Sequence, residues 1–260
     1  IAIKEPANIL VLGIMAGSFI AMGAQSSSLA VHNISNVGLA RTLAGCIFPV
    51  GLMMIVFVGG ELFTGDCMMS MAWMQRKIHF ADMLRTLVLV YVSNFVGAAL
   101  IAFLVAHSGQ YDYSSGALGA YTIKVAYGKV HLSFANALIS GILCNILVCV
   151  AVLMAAAAKD IAGKVLAIFF PILAFVVSGF EHCVANMYYI PAGIFASKNA
   201  AYATKALELY NIDSTQLSSL NWGSFAISNL IPVTIGNIIG GALLVGGACF
   251  YLHGKALHES

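Results

Sequence analysis

Charge is what this sequence has least of. Asp, Glu, Lys and Arg make up 8% of its 260 residues, against roughly 25% in a soluble domain. That deficit excludes a soluble globular protein. The net charge of +2 is small, and the basic residues gather in no patch, so a nucleic-acid partner is not expected. No nucleotide-binding loop and no nucleophile elbow occurs. No histidine pair is placed to hold a haem across two helices, and no cysteine pair has zinc-finger spacing. The six cysteines (Cys46, Cys67, Cys144, Cys149, Cys183, Cys249) all lie in or beside apolar runs and read as small buried residues. No metal, cofactor or enzymatic chemistry is expected. Low-complexity tracts, linkers and a signal peptide are also missing. The chain begins at Ile1, which suggests that a native N-terminal stretch precedes it.

What is there in excess is apolar sequence, 61% of the chain. A helix needs ~20 mostly apolar residues to cross the hydrocarbon core. Six segments qualify: about Ala7 to Val31, Leu39 to Trp73 with an interruption, Met83 to His107, Leu132 to Ala158, Val165 to Ser197 with an interruption, and Trp222 to Leu252. Gln75 to Asp82, Ser108 to Val130 and Lys198 to Asn221 read as polar, wet connections. With both termini inside, the inner segments hold Lys4, Arg76, Lys77, Arg85, Lys159, Lys164 and Lys255. The outer segments hold Arg41, Lys124, Lys129, Lys198 and Lys205. This excess of inner positive charge sets the expected orientation.

The two halves repeat. Asn94-Phe95-Val96-Gly97-Ala98-Ala99-Leu100 in the third span matches Asn237-Ile238-Ile239-Gly240-Gly241-Ala242-Leu243 in the sixth. Val58-Gly59-Gly60-Glu61 in the broken second span matches Val177-Ser178-Gly179-Phe180-Glu181 in the broken fifth. Gly17 and Gly141 share small-residue settings in the first and fourth spans. Three spans per half is an odd number, so the halves enter the membrane in opposite senses, as an inverted repeat. The expectation is a single all-α membrane domain over residues 1–260, with repeats at about 7–107 and 132–252 and broken second and fifth helices.

The breaks are where chemistry is expected. Gly59, Gly60 and Gly65 weaken the second span, and the freed backbone groups need protein or pore water as partners. Thr64 offers a hydroxyl to an anion, and Leu62 and Phe63 can form an apolar constriction beside it. Glu61 and Asp66 read as anchors, since carboxylates repel anions. In the fifth span His182 is the mid-membrane group with a pKa near physiological pH, and Glu181 and Asn186 can hold that break together. Lys129 reads either as a charge that concentrates anions at a pore mouth or as a snorkelling interfacial lysine. Asn145 reads either as a polar pore residue or as an interhelical hydrogen-bonding one. Phe48, Leu52 and Phe175 are candidates for a dewetting constriction.

These motifs resemble the formate/nitrite transporter family, which includes formate, nitrite and hydrosulfide channels. The resemblance rests on Glu61-Leu62-Phe63-Thr64-Gly65, on Gly179-Phe180-Glu181-His182-Cys183-Val184-Ala185-Asn186-Met187, and on the run from Asn229 to Gly241. It covers essentially the whole chain. It implies an aquaporin-like protomer with its own pore, a homopentamer in the lipid bilayer of a bacterial inner membrane, and a non-conducting central axis. It implies that Leu62, Phe63 and Thr64 form the inner constriction and its polar switch. Phe48, Leu52 and Phe175 would be the hydrophobic constriction, and His182, with Glu181 beside it, the central pore residue. Lys129 would be the anion attractor, functionally paired with Asn145. The implied substrate is a small monovalent weak-acid anion, with or without a proton. Formate comes first, with nitrite or hydrosulfide as alternatives. A water or glycerol channel ranks lower, because it needs two Asn-Pro-Ala-like loops and the chain has none.

Overall fold

The computed structural model describes residues 4–254, so Lys255 lies outside the described residues. Helix is the only extended regular structure among them, as hydrocarbon requires of backbone that cannot bond to water. The first span is α1 (Pro6–Val31). The second runs through α2 (Val37–Ile47), α3 (Val50–Val58), a short α4 (Phe63–Asp66) and α5 (Met69–Met74). The third is α6 (Phe80–Ala106), and α7 (Ala117–Val130) precedes the fourth, α8 (Phe134–Ala157). The fifth is α9 (Ile161–Ser178) and α10 (Cys183–Ser197). Two short helices, α11 (Ala200–Tyr210) and α12 (Ser214–Ser218), lead to the sixth span, Trp222–Leu252. Among the described residues, six helical stretches are long and apolar enough to cross a membrane.

Two expectations change in detail. The stretch Ser108 to Val130 is largely helix rather than a wet loop. The face of α7 bearing Leu118, Ala120, Ile123 and Ala126 is fully buried, and Gly193 of α10 brings the two helices close enough that an added Cβ would lie 2.2 Å from Ala126. A 14-residue run that follows Gly109 and Gly116 and contains Lys124 and Lys129 reads as a loop by composition but folds as a helix packed on α10. The sixth span is not a uniform α-helix: Phe225–Leu230 and Ile239–Val245 are π-helical. A π-bulge inserts a residue and turns the following side chains; the first stretch contains Asn229 and the second begins just after Asn237.

The inverted repeat shows in the hydrogen bonds. Asn94 of α6 accepts from the Phe63 N–H at 3.0 Å and donates to the carbonyls of Gly13 and Glu61 at 2.8 and 2.9 Å. Asn237 of the sixth span accepts from the Cys183 N–H at 2.9 Å and donates to Gly141 and Glu181 at 2.7 and 3.0 Å. Each buried amide therefore pins a restarting helix, the extended segment before it, and the neighbouring first or fourth span. Gly13, rather than Gly17, is thus the partner of Gly141 across the repeat. Close helix approach repeats as well: a Cβ on Gly97 would lie 2.0 Å from the Ile14 carbonyl, and one on Gly240 2.3 Å from that of Ile142. Only glycine allows backbones this near.

Candidate functional site: an apolar void between two vestibules

Both breaks begin at a glycine with positive φ. Gly59 (φ 107°) closes α3 and Gly179 (φ 71°) closes α9, conformations that L side chains rarely adopt. At Gly179 the Phe180 N–H reaches back to the Phe175 carbonyl at 3.2 Å, the 6→1 bond of a Schellman ending. Three extended residues follow each end, and Glu61 and Glu181 donate backbone N–H bonds to Leu12 and Ser140. The helices restart at Phe63 and Cys183. His182 caps α10 with its own ring, accepting the Ala185 N–H on Nδ1 at 3.0 Å. That bond leaves Nε2 to carry the proton of the neutral ring. Nε2 lies 2.9 Å from Thr64 Oγ1, so the two breaks meet through one side-chain hydrogen bond. Both residues are buried.

Beside this bond the protein holds three cavities in series, of which His182 borders two and Thr64 none. One vestibule, of about 630 Å³, has Lys4, Glu61, Asp66, Leu52 and Leu62 on its wall. The other, of about 270 Å³, has Arg41, Lys129, Asn186, Phe48, Phe175 and His182. Between them lies a void of about 10 Å³ bounded by Leu52 and Leu62 on one side and Phe48, Phe175 and His182 on the other, with Ile20, Val148 and Ile172 completing it. That is space for at most about one water. The Phe48 and Phe175 rings meet edge-on with centroids 5.4 Å apart, and Phe175 is 6.0 Å from His182. A channel narrowed by such walls resists hydrated ions by dewetting.

The remaining sequence candidates fall in different places. Phe63 does not face the path. Its ring packs edge-on against Tyr91 at 4.8 Å and borders an apolar recess between α6 and the sixth span. Residues 62 and 63 point to opposite sides because the helix restarts between them. Asn145 is fully buried and sits behind the path. It donates to the carbonyls of Thr64 and Asn237 at 3.1 and 2.6 Å, and makes no bond to Lys129. Lys129 reaches the vestibule, but its Nζ lies 2.7 Å from Glu181, with 17% and 6% of the two side chains exposed. Asn186 and Asn229 donate to the other oxygen of Glu181 at 2.7 and 3.2 Å. Across the repeat Lys4 pairs with Glu61. Asn94, Asn229 and Asn237 join them as site residues that no sequence motif singles out for a role. The signal that marks them is a lone asparagine inside an apolar helix, which must find buried partners.

The chain matches the formate/nitrite transporter family over residues 2–251. A probable formate transporter of Methanothermobacter thermautotrophicus is 38% identical over 96% of this chain and 90% of its own. The formate channel FocA of Haemophilus influenzae is 37% identical over 94% and 86%. Among solved structures, a pentameric formate channel with formate bound superposes with a TM-score of 0.85 at 31% identity, covering 98% of both chains. Sequence and fold agree along the whole length: the chain belongs to the formate/nitrite transporter family.

Proposed function

We propose that this chain is a formate channel of a cytoplasmic membrane, with its termini on the cytoplasmic side and one pore in each protomer of a homopentamer. The observation that carries this reading is the hydrogen bond of 2.9 Å between His182 Nε2 and Thr64 Oγ1, set where two vestibules are parted by an apolar void. The formate-named relatives and the pentameric, formate-bound neighbour support the substrate and the assembly.

Stripping water from a monovalent anion at the Phe48–Phe175 constriction costs several kcal/mol even after relaxation. The Nε2–H of His182 offsets that cost when Thr64 turns aside and the imidazole donates to the anion instead. The cap on Nδ1 decides what the ring can give. A neutral ring bonded to Ala185 through Nδ1 donates a hydrogen bond at Nε2. It gives up a proton there only if another arrives on Nδ1, which breaks the Ala185 bond. Formate crossing as the free acid therefore couples proton delivery to release of this cap. Thr64 itself is held by the Asn145 and Cys149 side chains at its carbonyl, so only its hydroxyl is free to move.

The test is flux into proteoliposomes of formate, nitrite, hydrosulfide and chloride between pH 5 and 8. Wild type is expected to pass formate well ahead of chloride. His182→Asn keeps an acceptor for the Ala185 N–H but has no titrating ring, and its formate flux is expected to fall and to lose its pH dependence. An unchanged pH profile in a correctly assembled variant overturns the role of His182. A wild type that passes no formate overturns the substrate.

A further inference from the structure

The cation that captures the anion need not be the lysine nearest the histidine. The Lys129 charge is answered by Glu181 at 2.7 Å and lies over the Tyr189 ring at 5.3 Å, so the pair adds little net field to the vestibule. Arg41 differs in each respect. It is exposed, on the first turns of α2, and forms no ion pair among the described residues. Its one side-chain hydrogen bond there runs from Nη1 to the Val177 carbonyl at 3.2 Å, at the end of α9. Among the described residues nothing hydrogen-bonds the Nε and Nη2 edge of the guanidinium. Arg41 also borders two cavities at once. One is the vestibule of Lys129 and His182. The other is a more superficial basin of about 530 Å³ that shares Val31, Arg41 and Tyr121 with it and adds Lys124. Lys124 has no carboxylate partner among the described residues and sits 4.6 Å from the Tyr210 ring centre. Among the described residues neither wall carries an Asp or a Glu.

We infer that Arg41, supported by Lys124, is the capture and selection residue at this mouth, and that it favours planar anions with two oxygens. The open edge of a guanidinium presents two parallel N–H groups, which match the oxygen spacing of a carboxylate or of nitrite and not a single-centred ion such as hydrosulfide or chloride. The anchor at Val177 holds that edge beside the α9–α10 break, so a captured anion is placed over the path to His182. Positive walls without carboxylates raise the local anion concentration and the rate of encounter, and salt screens that effect. The Lys129–Glu181 pair then serves to hold the break, while Arg41 supplies the uncompensated charge.

This inference rests on the proposed channel function, and the experiment separates the two. Initial flux is measured in proteoliposomes of the whole chain, against concentration, for formate, nitrite, hydrosulfide and chloride, at low and high salt. Arg41→Gln is expected to raise the half-saturation concentration for formate and nitrite about fivefold, the scale of one exposed charge-assisted contact, and to flatten the salt dependence. Arg41→Lys keeps the charge and a donor for Val177 but not the planar edge. It is expected to weaken formate and nitrite saturation while leaving that of hydrosulfide and chloride near wild type. Formate saturation and salt dependence unaltered in an assembled Arg41→Gln overturn the inference and leave the channel reading standing. If Arg41→Gln does not assemble, Arg41→Lys decides: equal effects on all four anions overturn the two-oxygen selectivity. A wild type that moves nitrite and not formate, with the same Arg41 dependence, overturns formate as substrate and supports the capture role.

Discussion

At the scale of single residues, the same side chain has different worth according to what answers it. Lys129 and Glu181 are part-buried partners at 2.7 Å, in a network with Asn186 and Asn229. Removing one partner strands the other charge, which is more costly than removing both. Lys129→Gln is therefore expected to lower the thermal midpoint in detergent, equivalent to about 3 kcal/mol, and to weaken anion capture because Glu181 is left uncompensated. Lys129→Gln combined with Glu181→Gln is expected to regain most of that stability, since two neutral amides satisfy each other. The double variant also distinguishes two accounts of anion attraction. If Lys129 is the attractor, half-saturation for formate rises and stays raised. If Arg41 is, the double variant keeps the vestibule's net charge and its half-saturation returns close to wild type. A double variant no more stable than the single one would show that the stranded Glu181 charge is not the source of the loss.

At the scale of elements, the two breaks are held by asparagines more than by glycines. Gly59 and Gly179 permit the turns through positive φ, but Asn94 and Asn237 each supply three bonds that fix where the next helix begins. Truncating either leaves one N–H and the carbonyl of Glu61 or Glu181 without their asparagine partner in a buried place, at about 1–3 kcal/mol for each unsatisfied group before relaxation, while the Gly13 and Gly141 carbonyls keep their place in helices α1 and α8. Asn94→Ala and Asn237→Ala are each expected to lower the thermal midpoint sharply and to reduce flux. Asn→Asp at either site keeps the acceptor, loses both donors, and is expected to behave no better. A midpoint within error of wild type for both alanine variants would refute the claim that these amides set the breaks. The sequence carried part of this design plainly. The spans, their interruptions and the Asn94/Asn237 repeat were legible, because bilayer thickness sets a length and a polar residue in hydrocarbon stands out. What it could not show is direction. Phe63 and Asn145 look like path residues by position, yet one faces Tyr91 and the other the back of Thr64. The face a residue presents just after a helix restarts depends on φ and ψ at the break, and no periodicity reports those. The π-helical stretches hide for the same reason: an inserted residue turns the sixth span without changing its composition.

At the scale of the whole molecule, the repeat builds a path that is alike in plan from both ends and unlike in chemistry. Each vestibule carries a Lys–Glu pair next to its break, and the apolar void lies between them. Among the described residues, the side of Lys129 adds Arg41 and Lys124 without carboxylate partners, and that vestibule is the smaller one, 270 against 630 Å³. Capture from the two sides should therefore differ, with the lower half-saturation concentration on the side of Arg41. A passive path cannot turn that difference into net pumping. At equal pH and zero membrane potential, detailed balance requires the ratio of maximal flux to half-saturation concentration to be the same in both directions, whatever the individual constants. Oriented proteoliposomes can measure all four constants. Unequal half-saturations with equal ratios are the expected outcome, and Arg41→Gln should bring the two half-saturations together. Equal ratios that become unequal only when a pH difference is imposed would mean that the proton on His182 travels with the anion. Unequal ratios without any gradient would mean an energy source that a simple channel does not have, and would overturn the passive reading of the two-vestibule plan.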